Sequence, residues 1–529
     1  MMKWIISFLY VFLSLSAQEK MNVVLLTVDD MNADSLGAFG CPVEGTSPQF
    51  DAFAEDAMRF NYAHVHATSC IPSRNIISSG KYLYNSGLEG FYQLPKDQVT
   101  FRTLPEVLQA NGYFTMIRGK AHHSYPYVPY KRAFDIIFDD ELKEKKLNIR
   151  QPKTFYDYTK KGVEAAKKAG KPFFYSMDIH DPHTPYYGLI KKKLTVGLNK
   201  EDKNNAPSRI FKTEEIVIPP FLPQTDKVRL EMAAYYSTVR RADDSIGKII
   251  QALKDTGVYD STIIIFLSDH GMPEPFGKTT NYYNGSHTPL TVRWPKHSQA
   301  GAIDNEHMIG AIDIFPSVLD MLGIEQEKDL DGRSFASILK GESQSDRDYV
   351  LTMYAENVGG NRQPTRSIIT KDFGYIYNLW SDGERKFASA TRGTLAYKEM
   401  ERLAKEGDAH WQARLNLYTH RQPEELYNYH LDAHALKDLS ASPEYAAKMA
   451  EMRNTLAKAM KQSGDPLYDL FMDRANEEAI QAHLDKVDKE SNARKQQAIY
   501  SRSGKAKADK SKKKPSKSKS DEKRKKPKK

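Results

Sequence analysis

Cysteine is scarce in this chain: Cys41 and Cys70 are the two among 529 residues. That excludes a scaffold held by several disulfides, and a chain long enough for two or three domains can bury a core that needs no such staple. A single Cys41–Cys70 bridge stays open on composition, although the two residues lie in different local contexts. Long apolar runs are scarce as well. After residue 17 no stretch reads as a membrane span, and no repeat of fixed period appears. The body also lacks net charge. Residues 503–529 hold 14 Lys/Arg against 3 Asp/Glu, and removing that +11 from the overall +9 leaves −2 for the rest. No nucleic-acid partner is expected of a nearly neutral body, and ordinary apolar and aromatic content excludes a disordered or collagen-like chain.

The two ends differ from the middle. Lys3, an apolar run over 4–15, and small Ser14, Ser16 and Ala17 precede the polar Gln18-Glu19-Lys20. The run is short for a bilayer span and reads as a signal peptide over 1–17, so the mature protein is expected to be soluble and exported, periplasmic or extracellular. The Lys/Ser/Pro composition of the far end cannot build a core, so 486–529 is read as a basic, largely disordered tail. Such a tail either stays solvated or contacts polyanions or an anionic cell surface electrostatically.

Between the ends, short β-rich apolar runs alternate with helical patterns, the mark of an α/β sheet. Runs at 22–28, Phe114–Arg118, 173–179 and Thr262–Ser268 read as strands, and 50–58, Leu104–Ala110 and 228–255 carry helical spacing. Each strand is followed at once by ligand-type residues: Asp29-Asp30, Lys120-Ala121-His122, His180-Asp181-Pro182-His183 and Asp269-His270. The carboxyl edge is where open α/β sheets gather their sites. After about residue 345, short strands at 349–354, 367–370 and 375–379 and a helix at 443–462 suggest a smaller α+β unit. The division expected is a main domain over 18–345 and a second over 346–485.

Cys70 opens a helical pattern with Pro72 in its first turn, where a missing N–H costs nothing. The free amides and dipole at such a terminus lower a thiol's pKa, which makes Cys70 either a nucleophile or a small buried residue before a helix. Taken alone, Asp29-Asp30 read as turn or cap residues and the isolated Lys, Arg and His as surface or structural groups.

In order and spacing, the chain resembles the sulfatase family of the alkaline-phosphatase-like superfamily. The resemblance is carried by Cys70-Ile71-Pro72-Ser73-Arg74, the 22–30 segment, Ser47-Pro48-Gln49-Phe50-Asp51, Gly119-Lys120-Ala121-His122 and Lys171-Pro172-Phe173-Phe174. It continues through His180-Asp181-Pro182-His183, Ser268-Asp269-His270-Gly271, Asp331-Gly332-Arg333-Ser334 and Glu425-Leu426-Tyr427. It covers about residues 22–467.

The resemblance implies a mixed sheet sandwiched by helices, with a smaller C-terminal α+β domain. It implies that a formylglycine-generating maturation enzyme converts Cys70 to formylglycine (3-oxoalanine). One divalent cation, calcium by its hard oxygen donors, would be held by Asp29, Asp30, Asp269, His270 and the modified Cys70. Hydrated formylglycine would attack sulfur through one hydroxyl and expel sulfate through the other. Arg74 and Lys120 would flank the diol and sulfate, and Lys278 would clamp the sulfate from the opposite side. His122 would act as base for the collapse and His183 as acid for the leaving group, with Asp181 a substrate contact.

Segments 179–183, 217–223 and 271–283 look closer to the heparan N-sulfatase (sulfamidase) branch, which has bacterial relatives active on algal polysaccharides such as ulvan. The implied substrate is therefore a sulfated oligosaccharide, N- or O-linked. The match departs at His270, where some relatives carry Asn, and at Lys278, where that branch carries Arg. A phosphoester hydrolase of the same superfamily and a non-catalytic polyanion-binding relative are the alternatives. The first would prefer an unmodified Ser or Thr and two zinc ions.

Overall fold

A computed structural model describes residues 20–124, 127–128, 133–190, 193–194 and 205–496. The leader expected over 1–17 lies outside them, as does most of the tail expected over 486–529. The first residues of that tail, 486–496, instead end the helix Glu477–Gln496, where Arg494 donates to Glu356 (2.6 Å). No described helix is long and apolar enough to cross a membrane.

The centre is a mixed eight-stranded sheet. Its strands run in the order Ile303–Asp304, Met58–Phe60, Thr291–Arg293, Thr262–Ser268, Asn22–Asp29, Phe173–Pro182, Phe114–Arg118 and Ile136–Ile137. Asn22–Asp29 is the middle of the parallel part, flanked by Thr262–Ser268 and Phe173–Pro182, while Thr291–Arg293 pairs antiparallel. The pleat sends alternate residues to opposite faces. Val24, Leu26 and Val28 pack with Tyr175, Ile264 and Phe266 beneath the helices Pro152–Lys168 and Asp226–Asp255. Val23 and Leu25 pack with Phe174, Ile263 and Ile265 beneath Cys70–Ser79, Leu104–Ala110 and Ile314–Met321. Both faces are therefore covered, which is why the central strands read as unbroken apolar runs.

A second, antiparallel sheet follows, in the order Val350–Glu356, Arg362–Ile369, Phe373–Asn378, Glu424–Asn428, with Ala446–Ser463 across it. It docks where the site is made. Met353 N donates to His66 O (2.7 Å), Asn281 to Thr352 (3.1 Å), and Tyr282 to Glu425 (2.6 Å). The segment before Cys70 and the loop carrying Lys278 are thus braced from the second sheet. The helix expected over 50–58 ends at Ala54, because 58–60 is drawn into the main sheet.

Candidate active site

Three neighbouring strands deliver the site. In Asn22–Asp29 every residue is buried, and the strand hands over Asp29 and then Asp30. Asp30 takes φ 69°, a conformation that a short polar side chain tolerates better than most. The neighbouring strand, in register Val28↔Ser268, hands over Asp269 and His270 alongside. Ser268 pins that turn, accepting from Met31 N (3.1 Å) and donating to His270 O (2.7 Å). On the other side, in register Thr27↔Asp178, Phe173–Pro182 brings Asp178 beneath the site and His183 to its rim.

Two close backbone approaches fix the rest. Gly119 has φ 87°, and a Cβ there would lie 2.1 Å from Asp178 O, so only glycine lets the chain pass and turn Lys120 inward. A Cβ on Gly271 would lie 1.8 Å from Asn284 O, which seats the loop after His270 tightly. Thr279 N donates to Thr68 O (2.7 Å), tying that loop to the segment before Cys70.

Cys70 is the first residue of a helix that is buried throughout. Its Sγ lies 3.3 Å from Lys278 Nζ, 3.3 Å from His270 Nε2 and 3.7 Å from Asp29 Oδ1. Both cysteines are free, so no Cys41–Cys70 bridge exists. One turn on, Arg74 donates from Nε to Asp269 (2.9 Å) and from Nη2 to Asp29 (3.2 Å). Its Nη1 donates to Thr27 Oγ1 (2.9 Å) and to Asp178. Lys120 Nζ pairs with Asp29 (2.7 Å) and Lys278 Nζ with Asp30 (2.6 Å).

The charges shift one another. Burial pushes Asp29 upward, but Lys120, His183, Arg74 and Lys278 together hold it well below the usual carboxylate range. Burial and the Asp29 charge push Asp269 up to about 6. Burial opposes the charge on His270, yet Asp269 prevails and raises it to about 9. Burial and Asp29 oppose ionisation of Cys70, but Lys278, His270 and a hydrogen bond with His123 bring its thiol well below the ordinary value. His183 is raised despite burial, by Asp30 and Asp29.

Ligand-type atoms of Asp29, Cys70, Asp269 and His270 lie within 4.8 Å of one another, as do those of Asp29, Asp30, Cys70 and His183. Asp30 Oδ2 is buried without a hydrogen-bond partner. His270 Nδ1 must donate to the Gly271 carbonyl (3.0 Å), so Nε2 faces the cluster and would become a donor to a cation that displaced its proton. A divalent cation fits this donor set, and its charge would relieve the crowding that raises Asp269.

Over Cys70 opens a cleft of about 530 Å³. Ile71, Phe91, Tyr186 and Pro273 form part of its wall, and the second unit adds Val358 and the 390–394 strap. Cys70, Arg74, Lys120, His183, Lys278, Asp29, Asp30, Asp269 and His270 are all brought together. His122 is not: it is exposed, its ring edge-on to His123 at 4.2 Å. The turn closed by His123 N to Lys120 O (2.8 Å) folds His123 inward, and its ring reaches Cys70. Asp181, expected at the substrate, is instead buried between Arg150 and Arg241. Asp178, Thr27 and Arg150 went unread: Asp178 sits inside an apolar strand, and its partner Arg74 is 104 residues away.

The sulfatase family profile matches residues 21–324, and the profile for the C-terminal region of N-sulphoglucosamine sulphohydrolase matches 269–385. The chain is 28% identical to human N-sulphoglucosamine sulphohydrolase over 494 residues, 87% of this chain and 93% of the relative. It is 25% identical to an ulvan-active sulfatase of Formosa agariphila over 490 residues, 85% and 76% of the two. Its fold matches a structure solved with D-glucosamine-2-N,6-O-disulfate as substrate, with TM-score 0.60 and 18% identity over 85% of this chain and 99% of that one. With that profile spanning the strand ends, Cys70 and the Asp269-His270 turn, this chain belongs to the sulfatase family.

Proposed function

We propose that this protein hydrolyses sulfate from a sulfated glycan, as an O-sulfatase or a sulfamidase, with Cys70 converted to formylglycine. One observation carries the reading. A cysteine opening a buried helix lies 3.3 Å from both a lysine and a histidine, on a cluster of carboxylates that fits one cation. The named substrates of two relatives, an N-sulphated glucosamine and ulvan, support the glycan class. Formylglycine would supply, once hydrated, an oxygen nucleophile where the thiol now stands. A divalent cation, calcium by the carboxylate donors, would supply positive charge to the nucleophile and the sulfate oxygens.

The chain's own residues do the remaining work. Lys120 and Lys278 bring two ammonium groups to the site, from the Asp29 and Asp30 sides, placed to neutralise sulfate oxygens as charge moves onto them. Arg74 locks Asp29, Asp178 and Asp269 in place. His123, its pKa lowered by burial and by Lys120, is neutral and within reach of Cys70, which suits a base. His183, raised and at the cleft rim, suits the acid that protonates the departing oxygen or nitrogen. We further propose export, on the charged, apolar and small-residue order of 1–17, and polyanion contact by the basic tail.

Peptide mass spectrometry after co-expression with a maturation enzyme tests the reading. Cys70 should lose one sulfur and two hydrogens and gain one oxygen. A wholly unmodified Cys70 in active protein refutes it. Turnover of glucosamine N-sulfate, glucosamine 6-sulfate and ulvan oligosaccharides then assigns the linkage.

A further inference from the structure

We propose that Arg150 is a positioning residue that holds the His183 imidazole in the tautomer and orientation needed to protonate the departing group. The inference rests on His183 acting as the acid. His183 lies just past the end of Phe173–Pro182, where the sheet ladder no longer restrains it. One backbone bond, His183 N to His180 O (3.0 Å), closes the turn. Among the described residues, one guanidinium grips the turn from the side opposite Arg241. Arg150 Nη1 donates to His183 O (2.7 Å) and to Asp181 Oδ1 (2.6 Å), and Nη2 donates to Thr184 O (3.1 Å).

The Thr184 carbonyl is shared. It also accepts from His183 Nδ1 (2.6 Å), and a carbonyl can only accept. The Nδ1 proton is therefore committed to it, and Nε2 is the nitrogen turned to Asp30, at 3.9 Å. Arg150 fixes the position of the carbonyl that makes this assignment. The other side of the device is rigid: Arg241 holds Asp181 through Nε (2.7 Å) and Nη2 (3.0 Å), and donates to Asn205 O (3.1 Å). Asp181 is thus an anchor, pinned from within by Arg241, against which Arg150 clamps the turn.

The geometry requires a planar fork. One guanidinium spans a carboxylate and two carbonyls, which a lysine ammonium cannot reproduce fully. The clamp can also be removed without unfolding the site, because Asp181 keeps both bonds to Arg241 and no buried charge loses its last partner.

The test uses the full, matured protein as R150Q and R150K, with H183Q as the reference. Each is assayed on the sugar sulfate of the above panel that the unaltered protein hydrolyses, and on 4-nitrophenyl sulfate. An acid matters for a sugar leaving group and hardly at all for nitrophenolate. General-acid catalysis contributes roughly 10²–10⁴-fold, and misplacement of a catalytic group can cost about 10²-fold. R150Q should therefore lose about 10–10²-fold in kcat on the sugar sulfate, with KM and the 4-nitrophenyl sulfate rate within about 3-fold. R150K should recover part of the loss. Equal loss on both substrates, or no loss, overturns the positioning role. If H183Q itself shows no difference between the two substrates, the acid role of His183 fails first. If R150Q does not fold, the same split is read from R150K, and its absence there overturns the proposal.

Discussion

Arg74 is the residue whose removal the structure makes most quantifiable. It is 3% exposed and touches three carboxylates. In R74M, Asp29 keeps Lys120 at 2.7 Å, and Asp269 keeps the Asp30 amide at 3.2 Å with His270 at 3.6 Å. Asp178 keeps only the hydroxyls of Thr27 (2.5 Å) and Ser176 (3.1 Å), and burial already raises its pKa against Arg74's pull. Breaking a buried pair from one side costs about 3–5 kcal/mol, a large share of the roughly 5–15 kcal/mol that holds a domain folded. D178N keeps the shape and can keep the hydroxyl contacts, so it forfeits chiefly one charged hydrogen bond, about 1.5–3 kcal/mol. The double variant strands no charge at position 178. Its loss should fall short of the sum of the two single losses by about 1.5–3 kcal/mol. Urea unfolding of the four proteins, at one saturating metal concentration and with unchanged m, measures this directly. Additivity within about 0.5 kcal/mol would show that Arg74 does not stabilise the site through Asp178, and the reasoning would be wrong.

Chelation should lower the melting temperature. A ligand at a hundred times its Kd contributes about 2.7 kcal/mol, and D269N should lose most of that increment; a chelator-insensitive wild type refutes the cation site. H123Q should reduce turnover by about 10²-fold and H122Q by less than about 3-fold, measured as kcat on the same sugar sulfate; the reverse order would restore His122 as the base. Gly119→Ala should destabilise by about 1–3 kcal/mol in urea unfolding, because its Cβ meets backbone 2.1 Å away and not a movable side chain; a neutral result refutes the close approach. Burial lowers His287 from 6.5 to about 4, with Nε2 donating to Asn61 O (2.9 Å). A depressed folded pKa gives stability that is full above about 6.5 and lost as pH falls towards 4, on the order of 3 kcal/mol in all. H287Q should therefore show a flatter stability profile between pH 7 and 5, and a profile parallel to wild type counts against it.

The strand ends were legible because the central sheet is buried on both faces. That makes four apolar runs stand out, and a carboxylate or histidine directly after such a run has nowhere to go but the edge. What stayed hidden was set by contacts distant in sequence. Glu424–Asn428 does not alternate like a half-buried strand, since Glu425 points inward to Tyr282 and Tyr427. Nothing local marks Asp178 as more than an odd residue in an apolar run. The choice between the adjacent rings of His122 and His123 rests on Lys120 at φ 51°, a backbone state invisible in the letters. Asp181 followed the motif to the right turn but faces away from the cleft, because Arg241 comes from a helix packed behind it.

The same contacts bear on the order in which the site fills. Lys120 and Lys278 are the ammonium groups proposed to meet sulfate, yet each is held by a carboxylate, Asp29 at 2.7 Å and Asp30 at 2.6 Å. Both lysines are largely buried, so each depends mainly on its carboxylate partner. While those carboxylates lack another cation, turning a lysine towards an anion strands a buried charge, a cost of several kcal/mol. Were Asp29 and Asp30 to share their charge with a divalent ion, that cost would fall and the lysines could turn to the sulfate oxygens. Cation and sulfate should therefore bind with positive coupling, each tightening the other by the same factor. In the proposed reading the carboxylates would serve twice, as donors to a divalent cation and as the partners that hold Lys120 and Lys278 until it binds.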